Sequence, residues 1–234
     1  MVLSPSPAAD RSLLALGVES ARLGRWERGV DVERFDPGKA AREDFPGEVK
    51  VLYAGRLTHE KGVDLLAESF LRANKADPRL HLLLAGGGPE EDELRMRLGG
   101  HATFLGWLEG EELARAYASA DIFLFCSTTD TYGQVVLEAG ASGVPVVAIA
   151  EGGPASLIEN RHTGMLCQAD VDHIAGTVLQ LAASPLLRRH LGASAARASR
   201  ERSWGRAMEQ LAGGYRRALE PEAAATEQAP ARAA

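Results

Sequence analysis

Ser127-Thr-Thr-Asp130-Thr-Tyr132-Gly133-Gln134-Val-Val-Leu-Glu138-Ala-Gly-Ala-Ser142-Gly143-Val-Pro-Val-Val147 is the stretch that decides the fold. An apolar run, Ile122 to Phe125, stops just before it. The chain then turns at Gly133, restarts as a helix and leaves through a second apolar run, Val144 to Ile149. Strand, turn, helix and strand in that order form the repeating unit of a parallel sheet, whose strands are covered on both faces and read as unbroken apolar segments.

The same alternation extends outward. Val49 to Ala54, Leu80 to Ala85 and Thr103 to Leu105 are further short apolar runs, and a last one lies near Met165 to Cys167. Between them, Asp64 to Asn74 puts Leu66, Phe70 and Ala73 on one helical face, and Glu111 to Ser119 does so with Leu113, Ala116 and Tyr117. Strand–helix repeats of this kind predict an α/β fold, a doubly wound, Rossmann-like parallel sheet. Three closing helices, Val171 to Ala183, Pro185 to Ser199 and Trp204 to Leu219, are expected to pack across the end of that sheet.

Two ends stand apart. Val2 to Ser6 reads as the end of a strand, Ala8 to Leu16 as a short helix and Ala21 to Trp26 as another strand, a single βα unit with no sheet of its own. Residues 1–30 are therefore expected to be the remnant of a missing N-terminal domain, ahead of a Rossmann-like domain over 31–219. Residues 220–234 hold no large apolar side chain and are expected to be a flexible tail.

With 234 residues, 45% of them hydrophobic and 25% charged, the chain can bury one substantial core. Its net charge of -6 and lack of a basic block argue against nucleic acid as a partner. Cys126 and Cys167 end apolar runs without the Cys or His neighbours of a zinc site, so they read as buried free thiols, and no metal constellation is present. No apolar segment approaches the ~20 residues of a membrane helix and no signal-peptide pattern opens the chain, which predicts a cytoplasmic setting.

Anions are drawn to the exposed N–H groups and positive dipole end of a helix. The helix starting at Gly133 has no acid in its first turn. Asp130 lies just before it and Glu138 about a turn and a half inside, an arrangement that leaves the amides of Tyr132, Gly133 and Gln134 for a phosphate and the two carboxylates for hydroxyls on either side. Gly55-Arg56-Leu-Thr-His59-Glu-Lys61-Gly62 follows the first strand of the large sheet, where open α/β sheets bind ligands. Loop cations are ordinarily solvated surface; position at a switch point is what makes Arg56 and Lys61 candidates, while His59 reads as a solvated loop residue. Gly86-Gly-Gly-Pro89 fails the G-x-G-x-x-G spacing and is followed by Glu90, Glu91, Asp92 and Glu93, so it reads as a structural turn. Gly140-Ala-Ser142-Gly143 lacks the final glycine of a hydrolase elbow and sits late in its helix.

Taken in order, Gly29-Val-Asp31 with Phe35 and Pro37, Gly55-Arg56-Leu57 with Lys61-Gly62, Leu84-Ala-Gly86 with Gly88-Pro89, Phe104-Leu-Gly106, Ala120-Asp121, and Glu138-Ala139 with Ser142-Gly143-Val-Pro145 resemble the C-terminal half of retaining GT-B glycosyltransferases of glycosyltransferase family 4. The family's acidic pair is Glu, seven residues, Glu; here Asp130 takes the first place, and Gly140 stands where methionine is common. Thr128 to Gly133 and Trp26 to Asp31 look most like members that transfer mannose or sulfoquinovose to lipid-linked acceptors.

That resemblance implies a donor-binding domain for a nucleotide sugar, GDP- or UDP-linked, with no separate cofactor and no metal. It implies catalytic roles for Arg56 and Lys61 on the diphosphate. Glu138 would hold the ribose, Asp130 a sugar hydroxyl, and the amides of Tyr132, Gly133 and Gln134 the rest of the phosphate cradle. The base would lie against the loop at Gly106 and Trp107, where Trp107 serves equally well as packing. The implied partners are the nucleotide sugar, the missing N-terminal domain and a lipid-linked or glycan acceptor, with the full-length enzyme in the cytoplasm or at the inner membrane face. Such a fragment is expected to bind nucleotide and barely transfer sugar. A non-catalytic nucleotide-sugar module is the alternative; a two-domain epimerase fits less well, for want of its acids and histidines.

Overall fold

The computed structural model describes residues 1–219; the predicted tail, 220–234, lies outside them. The chain opens with β1 (Val2–Ser4), α1 (Pro7–Ala15) and β2 (Leu23–Arg25), and the two strands pair in parallel as a two-stranded sheet. Ser6 accepts the Ala9 N–H as the cap of α1, and Pro7 occupies the first helical position, where no N–H is needed.

The main sheet contains β3 (Val49–Ala54), β4 (Leu80–Ala85), β5 (Ala102–Gly106), β6 (Ile122–Phe125), β7 (Val146–Ile149) and β8 (Gly164–Cys167). All six strands are parallel, in the order β5-β4-β3-β6-β7-β8. Every residue of β3, β6 and β7 is buried, as their largely apolar sequence requires; the exception in composition is Lys50 of β3, whose Nζ donates to the Gly47 carbonyl. The connecting helices are α2 (Val63–Ala76), α3 (Glu91–Leu98), α4 (Gly110–Ser119) and α5 (Gln134–Ala141). The chain closes with α6 (Val171–Ala183), α7 (Pro185–Arg200) and α8 (Trp204–Leu219).

The last three helices do not act as one group at the end of the sheet. Helix α6 packs on α2, α7 packs on α5, and α8 lies on β2. Their apolar faces explain the split: Ile174, Val178 and Leu181 of α6 and Leu191 of α7 join the main core, whereas Gly214 of α8 lets Leu3 of β1 approach its backbone. Both cysteines are buried and free, with Cys167 Sγ donating to Thr177 Oγ1 at 3.2 Å.

Strand order reverses between β3 and β6. Chain order runs outward from β3 through β4 to β5, then returns to β6 on the other side. The loops that leave the carboxyl ends of β3 and β6 therefore diverge from a crevice, the place where open α/β sheets take ligands.

Candidate functional site

Two loops meet at that crevice. Ser127 Oγ and Thr129 Oγ1, beyond β6, donate to the Glu60 carbonyl at 3.2 and 2.7 Å and tie their loop to the one beyond β3. Gly62 makes the approach possible: its φ is 70°, and a Cβ there would lie 2.2 Å from the Cys126 carbonyl oxygen. Lys61 Nζ then reaches Asp130 Oδ2 at 2.8 Å, both side chains about one-fifth exposed. Arg56 pairs with Glu60 at 2.6 Å, but both are more than half exposed, and such a pair exchanges partners at little cost.

Asp130 corrects one sequence expectation. The amides of Tyr132 and Gly133 are already occupied, because Asp130 Oδ1 accepts both of them at 3.0 and 2.7 Å, and a ligand has to displace it. An Asp placed two and three residues ahead of unpaired N–H groups closes on them as an Asx turn does. Burial works against the charge on Asp130, but the hydrogen bonds from Lys61, Tyr132 and Gly133 outweigh it and hold the carboxyl below its ordinary range. The anion seated on the helix end and on the lysine is thus the chain's own carboxylate. Gln134 N–H, the first of α5, has no acceptor among the described residues, and the α5 first turn carries no acid.

Glu138 lies on the α5 face toward α4 and accepts from Tyr117 Oη at 3.1 Å. Burial raises its carboxyl to about 7, against the opposing pull of the Tyr117 hydroxyl and of Arg34. Tyr117 is itself fixed, with Phe35 edge-on at 5.6 Å and Phe123 tilted at 5.4 Å between ring centroids. Asp130 and Glu138 therefore differ in kind: one is an ion held by donors, the other a carboxyl poised to lose its proton near neutrality.

Comparison with known proteins places this geometry. The family described as glycosyl transferases group 1 matches residues 38–198, more than half of the chain. The chain belongs to that family. A GDP-mannose-dependent alpha-mannosyltransferase of Mycobacterium tuberculosis is 37% identical over 222 residues, which cover 91% of this chain and 55% of the relative. The sulfoquinovosyl transferase SQD2 of Arabidopsis thaliana is 36% identical over 173 residues, 70% of this chain and 33% of the relative. The chain thus spans about half the length, or less, of these relatives. Anabaena HepE, solved with UDP and glucose, superposes with a TM-score of 0.83 at 21% identity, covering 92% of this chain and 62% of that one. The common architecture is GT-B.

In this glycosyl transferase group 1 domain, the loop beyond β4 is a structural turn, as its acids suggest. Gly86 has φ 138°, and a Cβ there would lie 1.9 Å from the Gly55 carbonyl oxygen, so the glycine lets one crevice loop rest on another. His59 joins the same two loops. Its ring is 69% exposed, yet Nδ1 lies 2.5 Å from Asp64 and Nε2 lies 3.1 Å from Glu90, and the Asp64 hydrogen bond raises its basicity. It is therefore a bridge as well as a solvated residue. Trp107 is 67% exposed beyond β5 and stands over Gly87, whose added Cβ would meet Nε1 at 2.8 Å.

Sequence reasoning passed over Tyr117 as a polar partner and did not single out Ser127, Thr129 or Glu60. Tyr117 and Glu138 are 21 residues apart, and the tyrosine has the helical spacing of a core residue, so no local signal marks its hydroxyl. No group of three His, Cys, Asp or Glu among the described residues is arranged to hold a metal ion. Among them, too, no helix is long and apolar enough to cross a membrane.

Proposed function

We propose that the chain is the donor-binding half of a retaining glycosyltransferase of family 4, one that moves a hexosyl group, mannosyl by preference, from a nucleoside diphosphate sugar to an acceptor. The observation that carries this reading is the union of Lys61, Asp130 and the N-terminus of α5 at the β3/β6 switch point. An anion already sits there, and a diphosphate is a better one. On binding, Lys61 and the amides of Tyr132, Gly133 and Gln134 pass to phosphate oxygens, Arg56 turns from Glu60 to join them, and Asp130 turns to a sugar hydroxyl. Glu138 accepts the ribose hydroxyls, and the base lies along Gly106 and Trp107.

Those groups hold charge more strongly as it develops on the departing nucleoside diphosphate, which is how they assist the break of the glycosidic bond. The leaving phosphate takes the proton of the acceptor hydroxyl, and attack from that same side keeps the configuration. The acceptor is held by an N-terminal domain beyond this chain. The β1–α1–β2 unit supports that division, because parallel strands normally belong to larger sheets covered on both faces, and β1 and β2 pair only with each other among the described residues. The share of the mannosyltransferase's length that the chain spans fits the same division. Identity to that relative favours GDP-mannose as donor.

Calorimetric titration tests this directly. The folded chain binds GDP more tightly than UDP, with Kd in the range of about 10⁻⁶–10⁻⁴ M, and transfers almost no sugar alone. Absence of heat with either nucleotide, from protein shown to be folded, would sink the reading. Asp130→Asn adds a second arm. Without a competing carboxylate on Lys61, free GDP binds several-fold more tightly, a gain of about 1 kcal/mol, while the advantage of GDP-mannose over GDP disappears. Equal changes for both ligands would remove Asp130 from the sugar.

A further inference from the structure

The turn that faces the phosphate site is fastened from behind. Tyr132 Oη accepts the Arg28 N–H at 2.9 Å and donates to the Arg28 carbonyl at 2.6 Å, so one phenol closes on both polar groups of a single backbone residue. Gln134 Nε2 donates to the Gly29 carbonyl at 3.0 Å, and Ser6 Oγ donates to the Thr131 carbonyl at 3.0 Å. Residues 132 and 134 thus hold the segment that links the β1–α1–β2 unit to the main domain, and residue 131 holds the cap of α1 within that unit. Tyr132 is 4% exposed, so the side chain that makes both bonds is itself buried. The same residue's own N–H is one of the two that Asp130 occupies.

Resting on the nucleotide-binding reading above, we infer that Tyr132 is a positioning residue: its side chain sets the phosphate-facing turn against Arg28, so that filling the site is felt in the 26–30 linker. The coupling follows from connectivity. When Asp130 leaves the Tyr132 and Gly133 amides and phosphate takes its place, the turn is held by ligand on one side and by the Arg28 backbone on the other. Any rearrangement of Tyr132 must move or tighten both bonds to Arg28. By reciprocity, a change in the linker alters the affinity of the turn for nucleotide by the same factor. The preceding amide provides a built-in control, because Glu27 N–H is bonded to Gln210 Oε1, which is not part of the turn.

Residue-resolved amide hydrogen exchange, with and without saturating GDP, tests the coupling. Nucleotide slows exchange at Arg28 by about tenfold while Glu27 changes less than about twofold. In Tyr132→Phe, which keeps the ring and loses both bonds, the Arg28 amide exchanges fast and no longer answers to nucleotide. An Arg28 amide unmoved by GDP in the unsubstituted chain, with Gln134 N–H responding, overturns the coupling and leaves the nucleotide site standing. No binding of GDP or UDP to folded protein overturns both. If the phenylalanine variant does not fold, the response of Arg28 in the unsubstituted chain decides alone, and a response still present in a folded variant refutes the role of the phenol.

Discussion

Glu138→Gln is expected to stabilise the chain above neutral pH while weakening its hold on a nucleotide. Burial lifts the Glu138 carboxyl from an ordinary 4.5 to about 7. Between those two values the folded chain keeps a proton that the unfolded chain has released, so stability falls as pH rises through this window and stays low above it. The amide of glutamine carries no charge at any pH in that range and still accepts the Tyr117 hydroxyl. At pH 8 the variant gains about 2–3 kcal/mol, or roughly 4–10 °C in melting temperature for a chain of this size. Near pH 4.5 the gain vanishes.

On the proposed reading of the site, the same substitution removes a charged acceptor for the ribose. Hydrogen bonds to a carboxylate are worth about 1 kcal/mol more than neutral ones, so affinity for GDP-mannose at pH 8 drops by roughly fivefold for each such bond. In the unsubstituted chain that affinity rises as pH climbs through 7, because the ionised form accepts both ribose hydroxyls; in the variant the rise is flattened. Melting curves and titrations at several pH values check both halves. A melting-temperature difference that does not vary between pH 4.5 and 8 would show that Glu138 is not a buried, proton-holding carboxyl. Such a trade is the expected mark of a group kept for binding at the expense of stability.

Arg56→Ala combined with Lys61→Ala is expected to cost the most affinity. If, as proposed, each cation supplies a charge-assisted bond to phosphate worth about 1.5–3 kcal/mol, removing the pair lowers GDP affinity by at least about 100-fold. Stability is nearly untouched by the Arg56 change, whose partner Glu60 is exposed. Loss of Lys61 matters more, since it leaves Asp130 with only the Tyr132 and Gly133 amides; the third substitution Asp130→Asn restores that part of the stability without restoring binding. GDP bound as tightly by the folded double variant as by the unsubstituted chain would move the diphosphate elsewhere.

Much of this was readable from residue order because the fold is written in periodicity. The segments Val49 to Ala54, Leu80 to Ala85 and Ile122 to Phe125 coincide with β3, β4 and β6, since strands buried on both faces tolerate few polar residues. The start of α5 was legible for a different reason: Gly133, with φ 93°, supplies a conformation that side chains resist. What could not be read was pairing across long separations. That α8 belongs with β2, that Tyr117 meets Glu138 and that Tyr132 clasps Arg28 depend on tertiary approach, and residues 104 positions apart leave no local trace. The capped state of the Tyr132 and Gly133 amides is different. Asp130 stands at the spacing of an Asx turn, so that signal was present and was outweighed by the attraction of the helix end for an external anion.

The central claim is that a diphosphate displaces Asp130 at the switch point. A crystal structure of the chain with GDP bound tests it most directly. The account predicts phosphate oxygens on Lys61 and on the amides at the start of α5, the ribose on Glu138, and Asp130 withdrawn from the Tyr132 and Gly133 N–H groups. A nucleotide bound elsewhere on the sheet, with the Lys61–Asp130 pair and both capped amides intact, would contradict it.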